Sequence, residues 1–177
     1  MSELSFTTLV DEAAREEARR WYAVNDGVMG GVSKSAFHVT EGLHAGQGEG
    51  RFVGDISLEN GGGFASVRRE PGAFERALTR AGGIALRVCG DGRTYQLRIK
   101  SRAIDEGCAY RVAFTPAKDE WQTWRFAWHE FEAVCRGRHL VGAPALAAGD
   151  IYQLGLLIAD RRGGDFCLRL ARIDAVP

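Results

Sequence analysis

The segment Asn25 to Ser35, NDGVMGGVSKS, combines glycines with a lysine and a serine, the residue types of a loop that binds nucleotide phosphates. Such a loop follows the pattern G-x-x-x-x-G-K-[ST], because its glycines let backbone N–H groups surround the phosphates. Lys34 and Ser35 fit the end of the pattern, but Val28 and Ser33 occupy both glycine positions. The segment also runs into the alternating residues AFHVT rather than into a helix, so nucleotide binding is not predicted.

The same segment is instead predicted to form two tight turns, around Gly27 and Gly30, since glycine adopts positive φ angles at little cost. Met29 would then point inward as an anchor, with Asn25 and Asp26 presented at the rim of the fold. Gly30→Val and Met29→Asp are therefore expected to damage folding, the first by backbone strain and the second by burying an unpaired charge.

Polar side chains that alternate with apolar ones along predicted strands form a second group of candidate ligand-binding residues. If the strands pair as expected, these side chains lie side by side and could clamp a carboxylate or phosphate through charge-assisted hydrogen bonds. A solvated outer face of the sheet explains the same pattern. The residues are Arg87, Gln96, Arg98 and Arg111.

Aromatic residues offer a third kind of site, because sugar rings stack on exposed aromatic side chains. Trp124, Phe126 and Trp128 alternate on one predicted strand, a pattern more typical of a core than of a platform. Trp121 follows the polar residues KDE and is predicted to be exposed, which makes it the candidate for sugar stacking.

Metal and catalytic sites have weaker support. Asp26 and Asp174 could approach one another near the first and last strands and hold a structural calcium ion, although no D-x-D-x-D-G loop exists. No other cofactor is expected. The four histidines are scattered and no serine has a nucleophile elbow around it, so the chain is not expected to be an enzyme.

The elements that must position these residues are predominantly short strands with period-two alternation. The clearest predicted hairpin joins residues 84–88 to 95–100 through Gly90-Asp91-Gly92. Residues 151–159, IYQLGLLIA, are apolar on both faces and are expected in the middle of a sheet. About eight or nine strands at spacings near ten residues, with short helices at 11–20 and 73–80, predict an all-β jelly-roll sandwich.

Composition sets the remaining expectations. The 177 residues suit one domain spanning 1–177, and 23 basic against 23 acidic side chains give a net charge of zero, so no nucleic-acid partner is expected. The four cysteines show no C-x-x-C spacing and are expected to be reduced thiols. No secretory signal or membrane-length apolar run is present, which together with reduced thiols predicts a cytoplasmic location.

Five motifs follow one another along the chain: WYAVNDGVMGGVS (21–33), ISLENGGGFASVR (56–68), DGRTYQLRIK (91–100), WQTWRFAWHEF (121–131) and IYQLGLLIADRRGGDFCLRLARID (151–174). Taken in this order, they resemble the complex I intermediate-associated protein family. The resemblance implies a galactose-binding-like jelly roll, related to carbohydrate-binding modules, without a catalytic centre and with a role in the assembly of respiratory complex I.

The sequence therefore predicts a non-catalytic binding or assembly module with a protein partner. The alternative is a module that binds a small ligand or a glycan on a sheet face. Convergence of Asn25, Asp26, Arg87, Arg98 and Trp121 on one concavity would favour the ligand, and their dispersal would favour the protein partner.

Overall fold

Two antiparallel β-sheets packed face to face make up the computed structural model of the chain. It describes residues 3–6, 11–40 and 48–177, with only the backbone described for residues 11–14, 28 and 29. The strands are β1 (Glu3–Ser5), β2 (Trp21–Ala23), β3 (Lys34–Thr40), β4 (Glu49–Ile56), β5 (Ala65–Arg69), β6 (Gly83–Cys89), β7 (Tyr95–Ser101), β8 (Cys108–Phe114), β9 (Trp121–Ala127), β10 (Glu132–Cys135), β11 (Arg138–His139), β12 (Ile151–Ile158) and β13 (Gly164–Val176).

Strands far apart in the chain are neighbours in both sheets. The six-stranded sheet has the order β3-β4-β13-β6-β9, and β1 also pairs with β13. The seven-stranded sheet has the order β11-β10-β8-β7-β12-β5-β2. The predicted jelly-roll sandwich is confirmed, and β12 lies inside its sheet between β7 and β5, as the apolar run at 151–159 predicted.

The inward-facing side chains of the two sheets share one core because alternate residues of each strand point to the same face. The rings of Phe52 and Phe166 in the six-stranded sheet lie 6.1 and 6.3 Å from the ring of Tyr95 in the seven-stranded sheet. Phe114 meets Trp124 from across the same core, at 5.9 Å. Trp124 therefore belongs to the interior, as its alternation predicted.

Short helices cover the edges of the sandwich. Both predicted helices are present, the second as a short α-helix that continues into a 3-10 turn. Within the described residues, no helix is both long and apolar enough to cross a membrane. The α-helices are α1 (Asp11–Arg19) and α2 (Ala73–Ala77), and the 3-10 turns are Asp26–Met29, Glu59–Gly61, Leu78–Arg80, Trp128–Glu130 and Ala148–Asp150.

A buried ion cluster fixes both α-helices to β5. The Arg69 guanidinium donates to Glu17 of α1 at 2.8 Å and to Glu75 of α2 at 3.0 Å, and Trp21 donates its indole N–H to Glu17 at 2.9 Å. Arg69, Glu17 and Glu75 are only 4%, 6% and 1% exposed. Since buried charges are tolerated only when paired, this cluster fixes where both helices dock.

The predicted hairpin between residues 84–88 and 95–100 is wrong. Strand β6 pairs with β13 and β9 in one sheet, whereas β7 pairs with β8 and β12 in the other. The linker between them is held by distant groups: Asp91 accepts a hydrogen bond from the backbone N–H of Cys167 at 2.8 Å, and Arg93 donates to Asp160 at 2.7 Å. Period-two alternation fits a strand in either sheet, and these contacts make the linker cross between them.

The expectation of four reduced thiols is also wrong. Cys108 and Cys135 lie opposite one another on β8 and β10 and form a disulfide, whereas Cys89 and Cys167 are free. No local cysteine spacing indicates this bond, because the pairing arises from strand register across 27 residues. One argument for a cytoplasmic location is thereby removed, and that location stays a prediction.

Candidate functional site

The loop that opens at Asn25 is built around the buried carboxylate of Asp26. That carboxylate accepts hydrogen bonds from the backbone N–H of Ser33 (3.0 Å), the hydroxyl of Ser33 (2.7 Å), and the backbone N–H groups of Gly63 (2.7 Å) and Phe64 (3.3 Å). Asp26 is 0% exposed. The segments 21–33 and 56–68, which carried the strongest family resemblance, therefore meet at one acid.

Hydrogen bonding keeps this acid charged. Burial raises the pKa of Asp26, but the hydrogen bonds from Ser33, Gly63 and Phe64 outweigh burial, so the pKa lies below its ordinary value. Among the described residues no cation pairs with this carboxylate, and N–H and O–H donors stabilise its charge.

Two glycines let the loops close around Asp26. A Cβ at Gly31 would lie 2.3 Å from the carboxyl carbon of Asp26, and one at Gly62 would lie 2.6 Å from a carboxylate oxygen. Gly30 has a φ of 88° and ends the 3-10 turn in the left-handed conformation. The predicted role of glycine in tight turning is confirmed at Gly30, whereas Gly31 is needed for space.

Asn25 extends the same cluster. Its side-chain oxygen accepts hydrogen bonds from the Ser35 hydroxyl at 2.6 Å and from the backbone N–H of Ser66 at 3.1 Å. The prediction that Asn25 and Asp26 face solvent at the rim is therefore wrong for Asp26, which is fully buried, and Asn25 is half-buried. The predicted inward side chain of Met29 lies outside the described residues.

A row of side chains crosses the outer face of the seven-stranded sheet. Gly155 on β12 is opposite Arg68 of β5 on one side and opposite Arg98 of β7 on the other, and Arg98 is opposite Arg111 of β8. Residues opposite one another in antiparallel strands share a face, so these side chains all project outward. Lys100 projects from the same face, two residues along β7. We call Arg68, Arg98, Lys100 and Arg111 the cationic face.

The cationic face is poorly neutralised. Arg111 donates to Glu132 at 2.9 Å, but Arg98 donates only to the side-chain oxygen of Gln96, also at 2.9 Å. Within the described part of the chain, the Arg68 side chain has no hydrogen bond or ion pair. Lys100 donates to backbone carbonyl groups rather than to a carboxylate.

Burial and, after it, neighbouring positive charges lower the pKa of two of these groups. Burial, Arg111 and Arg68 lower the pKa of Arg98 to about 10. Burial is also the largest cause at Lys100, where the charges of Arg68 and Arg98 help to lower the pKa to about 8. Both charged forms are therefore destabilised, first by loss of hydration and second by neighbouring cations.

A small pocket opens between these cations. It has a volume of about 40 Å³, and its lining includes Arg68, Arg98, Lys100, Gln153 and Gly155. The sequence-based candidates missed Arg68, Lys100 and Gly155. An isolated glycine inside the strand IYQLGLLIA was the available signal, since such a glycine often marks a place where another group comes close.

The other candidate residues lie elsewhere. Arg87 projects from the outer face of the six-stranded sheet, where it donates to Thr123 at 3.2 Å, so the prediction that it joins Gln96, Arg98 and Arg111 is wrong. The expected row depended on the hairpin between β6 and β7, which does not form.

Trp121 also lies on the six-stranded sheet, at the edge strand β9, and is 36% exposed. The Arg169 guanidinium covers its ring, 5.1 Å from the ring centroid. Since Asn25 and Asp26 are in the buried loop cluster, the five residues expected to converge on a ligand are dispersed over three regions.

The residues considered for calcium are engaged by protein donors. Asp174 accepts two hydrogen bonds from Arg172, each of 2.8 Å, and the oxygens of Asp26 face four donors. Among the described residues, no group of three or more His, Cys, Asp or Glu side chains is placed to hold a metal ion. Structural calcium at Asp26 and Asp174 stays a prediction, and the donors around both acids do not support it.

Solved structures share the fold at low sequence identity. The family 11 carbohydrate-binding module from Clostridium thermocellum, in complex with a β-1,3-1,4-mixed-linked tetrasaccharide, gives a TM-score of 0.65 at 13% identity, covering 99% of this chain and 95% of that one. A family 30 carbohydrate-binding module gives a TM-score of 0.57 at 10% identity, covering 99% of both chains. These likenesses support the jelly-roll fold alone.

Sequence comparison gives the family. An uncharacterized protein of Schizosaccharomyces pombe is 31% identical, covering 88% of this chain and 77% of that protein. The model of the family Complex I intermediate-associated protein 30 (CIA30) matches residues 10–170, which include both segments that meet at Asp26. The chain therefore belongs to the complex I intermediate-associated protein 30 family.

Proposed function

We propose that the protein is a non-catalytic assembly module that binds a protein partner, of the kind the family name describes for complex I intermediates. The family match over residues 10–170 is the observation that carries this proposal. The dispersal of the candidate ligand residues also supports it, because no single concavity gathers them.

The loop cluster around Asp26 offers a surface for such a partner. The Ser33 hydroxyl, which donates its proton to Asp26, accepts a hydrogen bond from the backbone N–H of Ser57 at 3.0 Å and so joins the two loops. Val32 and Leu58, the chain neighbours of these two serines, are 48% and 52% exposed. Apolar side chains held at rigid positions are typical of the centre of a protein interface. We call Val32 and Leu58 the apolar loop pair.

Affinity purification from the native host tests this function. Complex I subunits are expected to co-purify with the wild-type chain and to be recovered about tenfold less with Val32→Ser/Leu58→Ser, as for loss of an interface anchor. Val141→Ser is the matched control, because Val141 is 91% exposed and lies outside the loop cluster. All three chains should keep the same melting temperature.

Two results would contradict the proposal. Absence of complex I subunits from the wild-type purification, in a host that contains complex I, would refute the assembly role. Equal recovery by both variants and the wild type would refute the apolar loop pair as the contact surface while leaving the assembly role in place.

The fold favours glycan binding as a second candidate. Its support is the likeness to a module solved with a tetrasaccharide, together with Trp121, which is 36% exposed although the Arg169 guanidinium lies over its ring. A glycan array and a thermal-shift screen should then give a response that Trp121→Ala removes. A ligand at about one hundred times its dissociation constant stabilises a fold by about 2.7 kcal/mol, so the absence of any shift would exclude this candidate.

A further inference from the structure

Arg68 and Arg98 differ from the other buried or half-buried arginines of the described chain in having no carboxylate partner. Each of the others has a carboxylate oxygen within 4.0 Å of its guanidinium, at ion-pair distance. Arg69 pairs with Glu17 and Glu75, Arg93 with Asp160, Arg111 with Glu132, and Arg169 with Glu49. Arg68 and Arg98, on the two strands that flank Gly155, therefore lack the counter-charge that the fold provides to its other buried or half-buried arginines.

We propose that the cationic face binds one tetrahedral dianion, a phosphate or sulfate group, between Arg68 and Arg98 above Gly155. Neighbouring strands lie about 4.8 Å apart, so the Cα atoms of the two arginines are about 10 Å apart, on opposite sides of the glycine. A guanidinium presents a fork of N–H donors that matches two oxygens of such a group.

Gly155 leaves the space that the anion needs. A Cβ at this position would lie 2.6 Å from the Val67 carbonyl oxygen and 3.4 Å from two carbon atoms of Arg68. The pocket above it, of about 40 Å³, has room for one compact group rather than for a chain of sugar rings. A side chain at Gly155 would meet the backbone of β5, so the chain has glycine there, and no side chain of β12 stands between Arg68 and Arg98.

The donors around the pocket select an anion over a neutral sugar. Arginine and lysine side chains donate hydrogen bonds but accept none, whereas each sugar hydroxyl also has a proton to donate. The oxygens of a dianion only accept hydrogen bonds. A dianion in this pocket would face three cations of its lining, Arg68, Arg98 and Lys100. This inference requires only the seven-stranded sheet and does not depend on the assembly role.

Titration with defined anions tests the inference. Potassium phosphate, potassium sulfate and glucose 6-phosphate are added at constant ionic strength, with potassium chloride and glucose as blanks, and binding is followed by calorimetry and thermal unfolding. The wild-type chain should respond to the dianions but not to the blanks. Tighter binding of glucose 6-phosphate than of phosphate would identify a phosphate carried by a larger molecule, and equal binding a free anion.

Substitutions locate the response. Arg98→Gln is expected to weaken dianion binding about tenfold or more, which is the scale of one lost charge-assisted pair. Arg125→Gln is the control, because Arg125 is exposed on the six-stranded sheet and its loss changes the net charge equally. Without a dianion, Arg98→Gln should melt no lower than the wild type, because it relieves repulsion from Arg68 and Arg111.

Two results would overturn the proposed anion site, and a second variant is available if the first does not fold. If Arg98→Gln fails to fold, Arg68→Gln repeats the test from the neighbouring strand. No wild-type response to phosphate, sulfate or glucose 6-phosphate would overturn the proposal. Equal dianion binding by the pocket variant (Arg98→Gln or Arg68→Gln) and the control Arg125→Gln would also overturn it, because the anion would then bind without regard to the pocket.

Discussion

The carboxylate of Asp26 accepts a hydrogen bond of 2.7 Å from the backbone N–H of Gly63, although 37 residues separate the two in the sequence. Asp26→Asn would replace one acceptor oxygen by an NH₂ group that faces backbone donors. We expect the free energy of unfolding to fall by about 3 kcal/mol, the cost of leaving buried donors without a charged partner. Urea denaturation measures it, with the exposed Asp55→Asn as the control.

The pH dependence gives a second check on Asp26. Because its pKa is below the ordinary value of 3.8, its stabilisation is present above that pH and is lost as the pH falls through the folded-state pKa. The wild-type chain should therefore lose more stability on acidification than Asp26→Asn does. Equal acid sensitivity of the two chains would contradict the role assigned to this carboxylate.

Gly31→Ala should destabilise the fold more than Gly30→Ala does. A methyl group at Gly31 meets the Asp26 carboxyl group at 2.3 Å, and such overpacking costs about 1–3 kcal/mol or more. At Gly30 nothing lies within 4 Å, so only the φ of 88° is penalised, by about 1 kcal/mol. The melting temperatures of the two variants measure this order, with Gly27→Ala as the unstrained control. The reverse order would show that the loops do not close on Asp26 as described.

Lys100→Gln should stabilise the protein at neutral pH and alter its alkaline behaviour. The pKa of Lys100 is lowered to about 8 from 10.5, so between these values the unfolded state binds more protons and stability rises with pH. The charged groups that act on Lys100 are Arg68, Arg98 and Glu106. Denaturant unfolding across this window should show the rise in the wild type and in the exposed control Lys118→Gln, but a smaller rise in Lys100→Gln. Identical curves for all three chains would contradict the lowered pKa.

Reduction of the Cys108–Cys135 disulfide should lower the free energy of unfolding by about 3 kcal/mol, because the bond closes a loop across 27 residues. Unfolding is measured with and without reductant, and intact mass reports the state of the bond. Cys135→Ser should be as unstable as the reduced wild type and insensitive to reductant. A wild-type chain whose stability ignores the reductant would contradict this expectation.

Alternation along the chain predicted which residues share a face of a strand but not which strands are neighbours. Ile84–Val88 and Tyr95–Lys100 are strands as predicted, yet they belong to different sheets because Asp91 and Arg93 attach the linker to groups near residues 160 and 167. Those partners are distant in sequence, so no local pattern reveals them. Arg87 was predicted beside Arg98 because β6 and β7 were expected to pair, so the wrong pairing also gave the wrong position for Arg87.

Burial of polar groups was equally hard to predict. Asp26 stands among turn residues and is expected at a surface, but donors from Gly63 and Phe64 allow it to be buried. Adjacent Arg68 and Arg69 point to opposite faces of β5, so one meets two acids inside while the other reaches the cationic face. The sequence alone does not indicate which arginine is paired, because the neighbours of each depend on the strand register.

The central positions of β12 and β13 affect how the chain folds during synthesis. Strand β13 pairs with β1, β4 and β6, and β12 joins β5 to β7, so each sheet lacks its middle until residues 151–176 leave the ribosome. Until then the earlier strands expose open edges and apolar faces, the state in which chains aggregate. We therefore expect the seven-stranded sheet to be complete only after β12 has been synthesised, and the six-stranded sheet only after β13.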